Sequence, residues 1–162
     1  MSILVEFYRH NLWANLRLID ALGTLSDDLL DAVEAGTYGS IRTTLGHLVG
    51  AEEPYVMRLR GETPTRPPLE DGDIPRLGDL REIVRRSGEA LIEIGTRANT
   101  DWTLQGTWRG EPYSMPASVI LLQAVNHATE HRGQIASILG RHGIEPPELD
   151  AWAWDEDAAA GP

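Results

Sequence analysis

A chain of 162 residues, 41% of them hydrophobic, suits one domain built on one sizeable core. It has no cysteine, which excludes disulfides, thiolate zinc sites and cysteine nucleophiles; any nucleophilic thiol must arrive with a substrate. The formal net charge of −11 repels phosphate backbones and no basic cluster offsets it, so nucleic acid is not the expected partner.

The opening stretch "MSILVEFYRHNLW" lacks a basic region followed by a continuous apolar run, and no stretch of about 18 apolar residues occurs later. The expectation is a cytoplasmic protein with no membrane partner. Helical periodicity runs from about Ser2 to Leu25. Leu4, Phe7, Tyr8, Leu18, Ile19 and Leu22 define its apolar stripe, and Asn11 and Asn15 sit in the middle of it. Buried amides need partners. These two either cap nearby backbone or hold a ligand imidazole through its second nitrogen.

The second helix is expected from Ser40, a good N-cap, to about Arg60. Pro54 should kink it, because it cannot donate to the carbonyl of Gly50. Ile41, Leu45, Leu48, Val49, Tyr55, Val56 and Leu59 share a core face. Glu52 lies near the centre of that face and must be paired or neutralised. Arg132 is the candidate partner, in a buried pair that fixes helix register. Glu52 as a catalytic base is the weaker reading, since it points roughly 140° away from His47 on the wheel. His47 lies off the stripe among Thr43, Gly46, Gly50, Ala51 and Pro54, small neighbours that leave room for something other than a large side chain.

"GETPTRPPLEDGDIP" (61–75) is too proline-rich to be regular and reads as a long crossover connection. A third helix follows from about Asp79 to Ala98. "WTLQGTWRGEPYSM" (102–115) reads as a short β-hairpin turning near Arg109-Gly110, with Arg109 solvated. The fourth helix runs from about Pro116 to Arg141, and "DAWAWDED" (150–157) begins an acidic, solvated tail. The fold expected is all-α: one four-helix bundle over residues 1–162, with the crossover and the hairpin between its third and fourth helices.

The fourth helix carries "NHATEHRGQI" (126–135). His131 falls inside the buried stripe, and His127 sits at its edge with Gln134. Imidazoles at i and i+4 are neighbours on a helix and can converge on one ion. His47 could add a third from a facing helix. Three neutral imidazoles suit Zn, Ni, Co, Fe or Mn, leaving positions for water, substrate or a carboxylate. The plainer alternative is hydrogen-bonded core histidines. Glu130 completes H-x-x-E-H, but the 31 residues after His131 leave no helix far downstream for the third ligand of such a protease. His142, before Gly143, reads as compensation of the helix dipole. His10 has no assigned role.

"YRHNLWANLRLIDAL" (8–22), "GSIRTTLGHLVGAEEPYVMRLRG" (39–61) and "HATEHRGQIASILGRHGIEPPELD" (127–150) resemble the DinB-like, YfiT-like metalloenzyme superfamily, the damage-inducible family and not the DNA polymerase that shares the name. The most specific parts are the Gly-Ser-Ile start, a histidine seven residues after that serine, and H-x-x-x-H-R-G-Q. The resemblance implies a four-helix bundle, often dimeric, with a divalent metal such as Zn or Ni at one end, held by His47, His127 and His131. It also implies chemistry with low-molecular-weight thiols, bacillithiol-like or mycothiol-like.

Three readings of function follow. The first is transfer of such a thiol to a small electrophile, the metal lowering the thiol's pKa. The second is a metal-dependent hydrolase. The third is a stress-response protein keeping a metal for stability alone. No residue has a firm catalytic role; Tyr8, Tyr55, Trp108, Tyr113, Trp152 and Trp154 either line a pocket or fill the core. A homodimer is expected through Leu12, Leu16, Leu121 and Val125, with packing inside the bundle as the competing explanation.

Overall fold

The computed structural model describes residues 2–64, 69, 74–108 and 110–160, with Trp108 described by its backbone alone. Four long helices carry the fold: α1 (Ile3–Leu22), α3 (Ile41–Leu59), α4 (Leu77–Gly95) and α5 (Ala117–Arg141). Short α2 (Asp27–Leu30) lies between α1 and α3, and α6 (Ala151–Ala160) follows α5. Strands β1 (Thr103–Trp108) and β2 (Glu111–Pro116) pair antiparallel, from Thr103 opposite Pro116 to Trp108 opposite Glu111. Gly110, at φ 87°, supplies the left-handed residue of the turn. Arg109 lies outside the described residues, as do the side chain of Trp108 and much of the proline-rich stretch 61–75.

The ends of the helices follow local chemistry. Ser40 caps α3, its hydroxyl accepting from the Thr43 amide. α1 stops at Leu22, three residues before the expected Leu25, because Ser26 caps a separate turn, α2. α3 runs through Pro54 without a break.

Core packing sets the helix directions. One cluster joins Leu18 and Leu22 of α1, Ile41 and Leu45 of α3, Leu80 and Val84 of α4, and Ile135 and Ile138 of α5. The other joins Tyr8, Val56, Leu59, Leu91, Ile94, Ala117 and Leu121. Late α1 and late α5 therefore meet early α3 and early α4. α1 and α5 run one way, α3 and α4 the other. Parallel α3 and α4 need a connection that returns the full length of α3, about 28 Å, which is the long crossover expected from the sequence.

That crossover corrects one expectation. The small residues beside His47 do not leave room for a ligand. A Cβ on Gly50 would lie 2.8 Å from the Leu69 amide nitrogen, and one on Gly46 would lie 3.0 Å from Ile74. The glycines let the crossover lie close on α3. Gly88 does the same for α1 and α4, where a Cβ would meet Leu12 Cδ1 at 2.6 Å.

Two more expectations change. Leu12 and Leu16 pack against the first core cluster, Leu121 is in the second, and Val125 packs on it. The residues named for a dimer face thus take part in packing inside the protomer, Leu12, Leu16 and Val125 while half-buried. The acidic tail is not free: it forms α6, strapped to α1. Trp13 Nε1 donates to Asp157 Oδ2 at 2.8 Å, Trp154 meets the His10 ring edge-on, and His10 Nε2 lies 2.9 Å from the Leu149 carbonyl. A carbonyl only accepts, so His10 donates there. Among the described residues, no helix is long and apolar enough to cross a membrane.

Candidate metal centre

His47 lies six residues into α3, about 9 Å along its axis, while His127 and His131 lie near the middle of α5. The centre is therefore on the flank of the α3–α5 pair, not at the tip of the bundle. His127 Nε2 stands 3.0 Å from His47 Nε2 and 3.2 Å from His131 Nε2. His131 is buried and the other two are half-buried, so the cluster borders solvent.

The donor set fits a divalent ion. Ligand nitrogens about 2.1 Å from one ion, at angles between octahedral and tetrahedral, stand roughly 2.9–3.4 Å apart. The His127–His47 and His127–His131 separations have that spacing, and all three ligand atoms lie within 4.8 Å of one another. One proton on His127 Nε2 could serve one neighbour but not both at once, so three nitrogens facing one another have an unmet need. Burial, and then the neighbouring His131, lower the pKa of His47. Burial with His131 and His47 pushes His127 down to about 4. Both shifts favour the neutral ring, which keeps a lone pair for a metal.

Gln134 orients the third ring. Its Oε1 lies 3.0 Å from His131 Nδ1 and accepts from the Tyr38 amide at 3.0 Å. A backbone N–H requires an acceptor, which settles that the oxygen faces Tyr38. The same oxygen can only accept from His131, so Nδ1 carries the proton and Nε2 is left with its lone pair.

Two aromatic rings border the cluster. Tyr38, from the loop joining α2 to α3, stacks on His47 at 4.0 Å and meets His131 edge-on at 5.5 Å. Tyr55 stands edge-on to His127 at 6.1 Å. Tyr38 escaped the sequence reading because its loop has no periodicity. The signal that could have found it is an aromatic held between glycines, Gly36 and Gly39, just before the Ser40 cap.

Asn11 and Asn15 do not reach an imidazole. Both Nδ2 groups donate to Glu52 Oε1, at 3.1 and 3.0 Å, and both Oδ1 atoms accept from Arg132 Nη1, at 2.7 and 2.6 Å. Glu52 and Arg132 are therefore joined through two amides and make no direct ion pair, a correction to the expected contact. An amide can do this because it presents donors to the carboxylate and an acceptor to the guanidinium. Ser87 donates to Glu52 Oε2 at 2.6 Å, and Arg132 Nη2 to Thr129 at 3.0 Å. The network ties α1, α3, α4 and α5 together, and Glu52 takes no part in the histidine cluster.

A cavity of about 510 Å³ lies between α3 and α4, lined by residues such as Gly50, Met57, Leu69 and Ser87. It contains none of the three histidines, and the chemistry lies with the histidines.

Fold and site together define a helical bundle with a three-histidine candidate metal centre. The chain belongs to the DinB family, which it matches over residues 1–160. A solved structure of a DinB-like protein from Bacillus cereus ATCC 10987 is similar to it at a TM-score of 0.64 and 18% identity, over 90% of this chain and 94% of that one. That likeness is one of fold. No curated protein matches the chain.

Proposed function

We propose that this protein is a divalent-metal enzyme that transfers a low-molecular-weight thiol to a small electrophile. The observation that carries the reading is the convergence of three imidazoles at a solvent-bordering position with no fourth protein ligand among the described residues. A structural site would be closed by four ligands. A bound ion would hold a thiol's sulfur as thiolate at neutral pH. The chain's own part is to hold the imidazoles aimed at one point and to border the open side with Tyr38 and Tyr55. The absence of cysteine fits a nucleophile that arrives as cosubstrate. In the transfer the thiol proton leaves to solvent, the new bond forms from sulfur to the electrophile, and the leaving group departs with its electron pair.

Three imidazoles suit Zn, Ni, Fe, Mn or Co, and the family resemblance favours Zn or Ni among them. The test is titration of the Co-substituted protein with small thiols. A sulfur-to-metal charge-transfer band together with turnover of an electrophile panel supports the reading. A protein that binds metal yet admits no thiol is instead the hydrolase or the stress protein. A homodimer is part of this reading, and apolar residues such as Phe7 on α1 and Leu122 on α5 are exposed. Sedimentation at about twice the 17.9 kDa chain mass would support it, and a monomer would contradict it.

A further inference from the structure

Gln134 spends one oxygen on two different parts of the molecule. One partner is the ring of a candidate ligand, His131. The other is the backbone of Tyr38, at the tip of the loop between α2 and α3. That tip is built for one conformation. Gly36 turns it at φ 88°, the Thr37 hydroxyl lies between the carbonyls of Glu34 and Gly39, and Val33 bridges to Ser40 at its base. The ring it carries is 52% exposed, yet stacks on His47.

From this geometry we infer that Gln134 is a double-acceptor clamp, which positions His131 for the metal and seats Tyr38 over the imidazoles with the same oxygen. The inference rests on the metal reading above and goes beyond it, because it makes a loop outside α3 and α5 part of the centre. The physical link is direct. His131, holding a metal through Nε2, would have a better donor in its Nδ1–H and a fixed ring. A fixed ring holds the Gln134 side chain, and a held side chain keeps its second lone pair on the Tyr38 amide. Metal binding should therefore order the tip of the loop. Gln134 is a positioning residue, since it touches neither the ion nor a substrate.

The experiment compares the wild type with Gln134→Met, which keeps length and volume but accepts poorly, and Gln134→Glu, which keeps both acceptor bonds. Two quantities are read: Zn(II) affinity, and hydrogen exchange of the Tyr38 amide with and without Zn(II). In the wild type, Zn(II) should slow that exchange several-fold. Q134M should lose roughly 10–100-fold in Zn(II) affinity, the usual consequence of removing an outer partner of a ligand histidine. Its Tyr38 amide should exchange fast whether or not Zn(II) is present. Q134E should restore both properties. Wild-type affinity in Q134M, or an exchange rate at Tyr38 that ignores Zn(II) in the wild type, would overturn the clamp and leave the metal reading standing. If the wild type binds no Zn(II), both fall. Should Q134M fail to fold, the wild-type exchange measurement decides alone.

Discussion

Two polar clusters lie within one bundle, and they are built to opposite specifications. In the core, Glu52, Asn11, Asn15, Arg132 and Ser87 each give what a neighbour needs: amide donors face the carboxylate, amide oxygens face the guanidinium. On the flank, His47, His127 and His131 point like atoms at one another. The first cluster is complete without a ligand. The second has lone pairs that only a cation could satisfy together. Burying polar groups is costly unless every member is partnered. The difference therefore separates a structural network from a site more surely than position in the fold does, since α3 and α5 contribute to both sets.

The contrast predicts opposite responses to mutation. The largest expected effect is in the core. Arg132→Met strands Glu52 and two amides, and should lower stability by about 3–5 kcal/mol in urea unfolding. A loss below about 1 kcal/mol would mean that the network is not closed. His127→Ala, measured without metal, should change stability by less than about 1 kcal/mol, because the ring it removes lacks a complete set of partners. A core-sized loss there would make the histidines structural.

A smaller, pH-dependent effect sharpens the description of the core. Burial is the largest influence on Glu52 and raises its pKa above 4.5, against the pull of Ser87, Asn11, Arg132 and Asn15. The folded chain then holds the proton more tightly than the unfolded chain. That contribution is complete below the unfolded-state pKa and is lost as pH rises through the folded value. Glu52→Gln has no such titration, so its destabilisation relative to wild type should shrink between pH 4 and pH 7 in the metal-free protein. A deficit that grows over that range would mean that the donors outweigh burial.

The two clusters also differ in how far the sequence revealed them. His127 and His131 were legible because a 3.6-residue period puts i and i+4 side by side. Glu52 and Arg132 were legible as charges on apolar faces. What joins them was not: a wheel places Asn11 and Asn15 in the core but cannot say which elements they face. The same limit applies to Gly46 and Gly50, whose open side belongs to Leu69 and Ile74 from a distant part of the chain. Tyr38 sits in a loop, where no period exists to read. The expected acidic tail failed differently. Its charges suggested solvation, while Trp154 and Asp157 in the same segment had partners on α1 that only the fold brings near.

The central claim is that the flank cluster is a cation site. The most direct measurement is calorimetric titration of the metal-stripped protein with Zn(II), for the wild type and for His47→Ala, His127→Ala and His131→Ala. One Zn(II) per chain is predicted for the wild type. Each variant should lose more than about 100-fold in affinity, about 2.7 kcal/mol, since losing a ligand must cost more than losing its outer partner. Absence of stoichiometric binding in the wild type, or wild-type affinity in all three variants, would contradict the account.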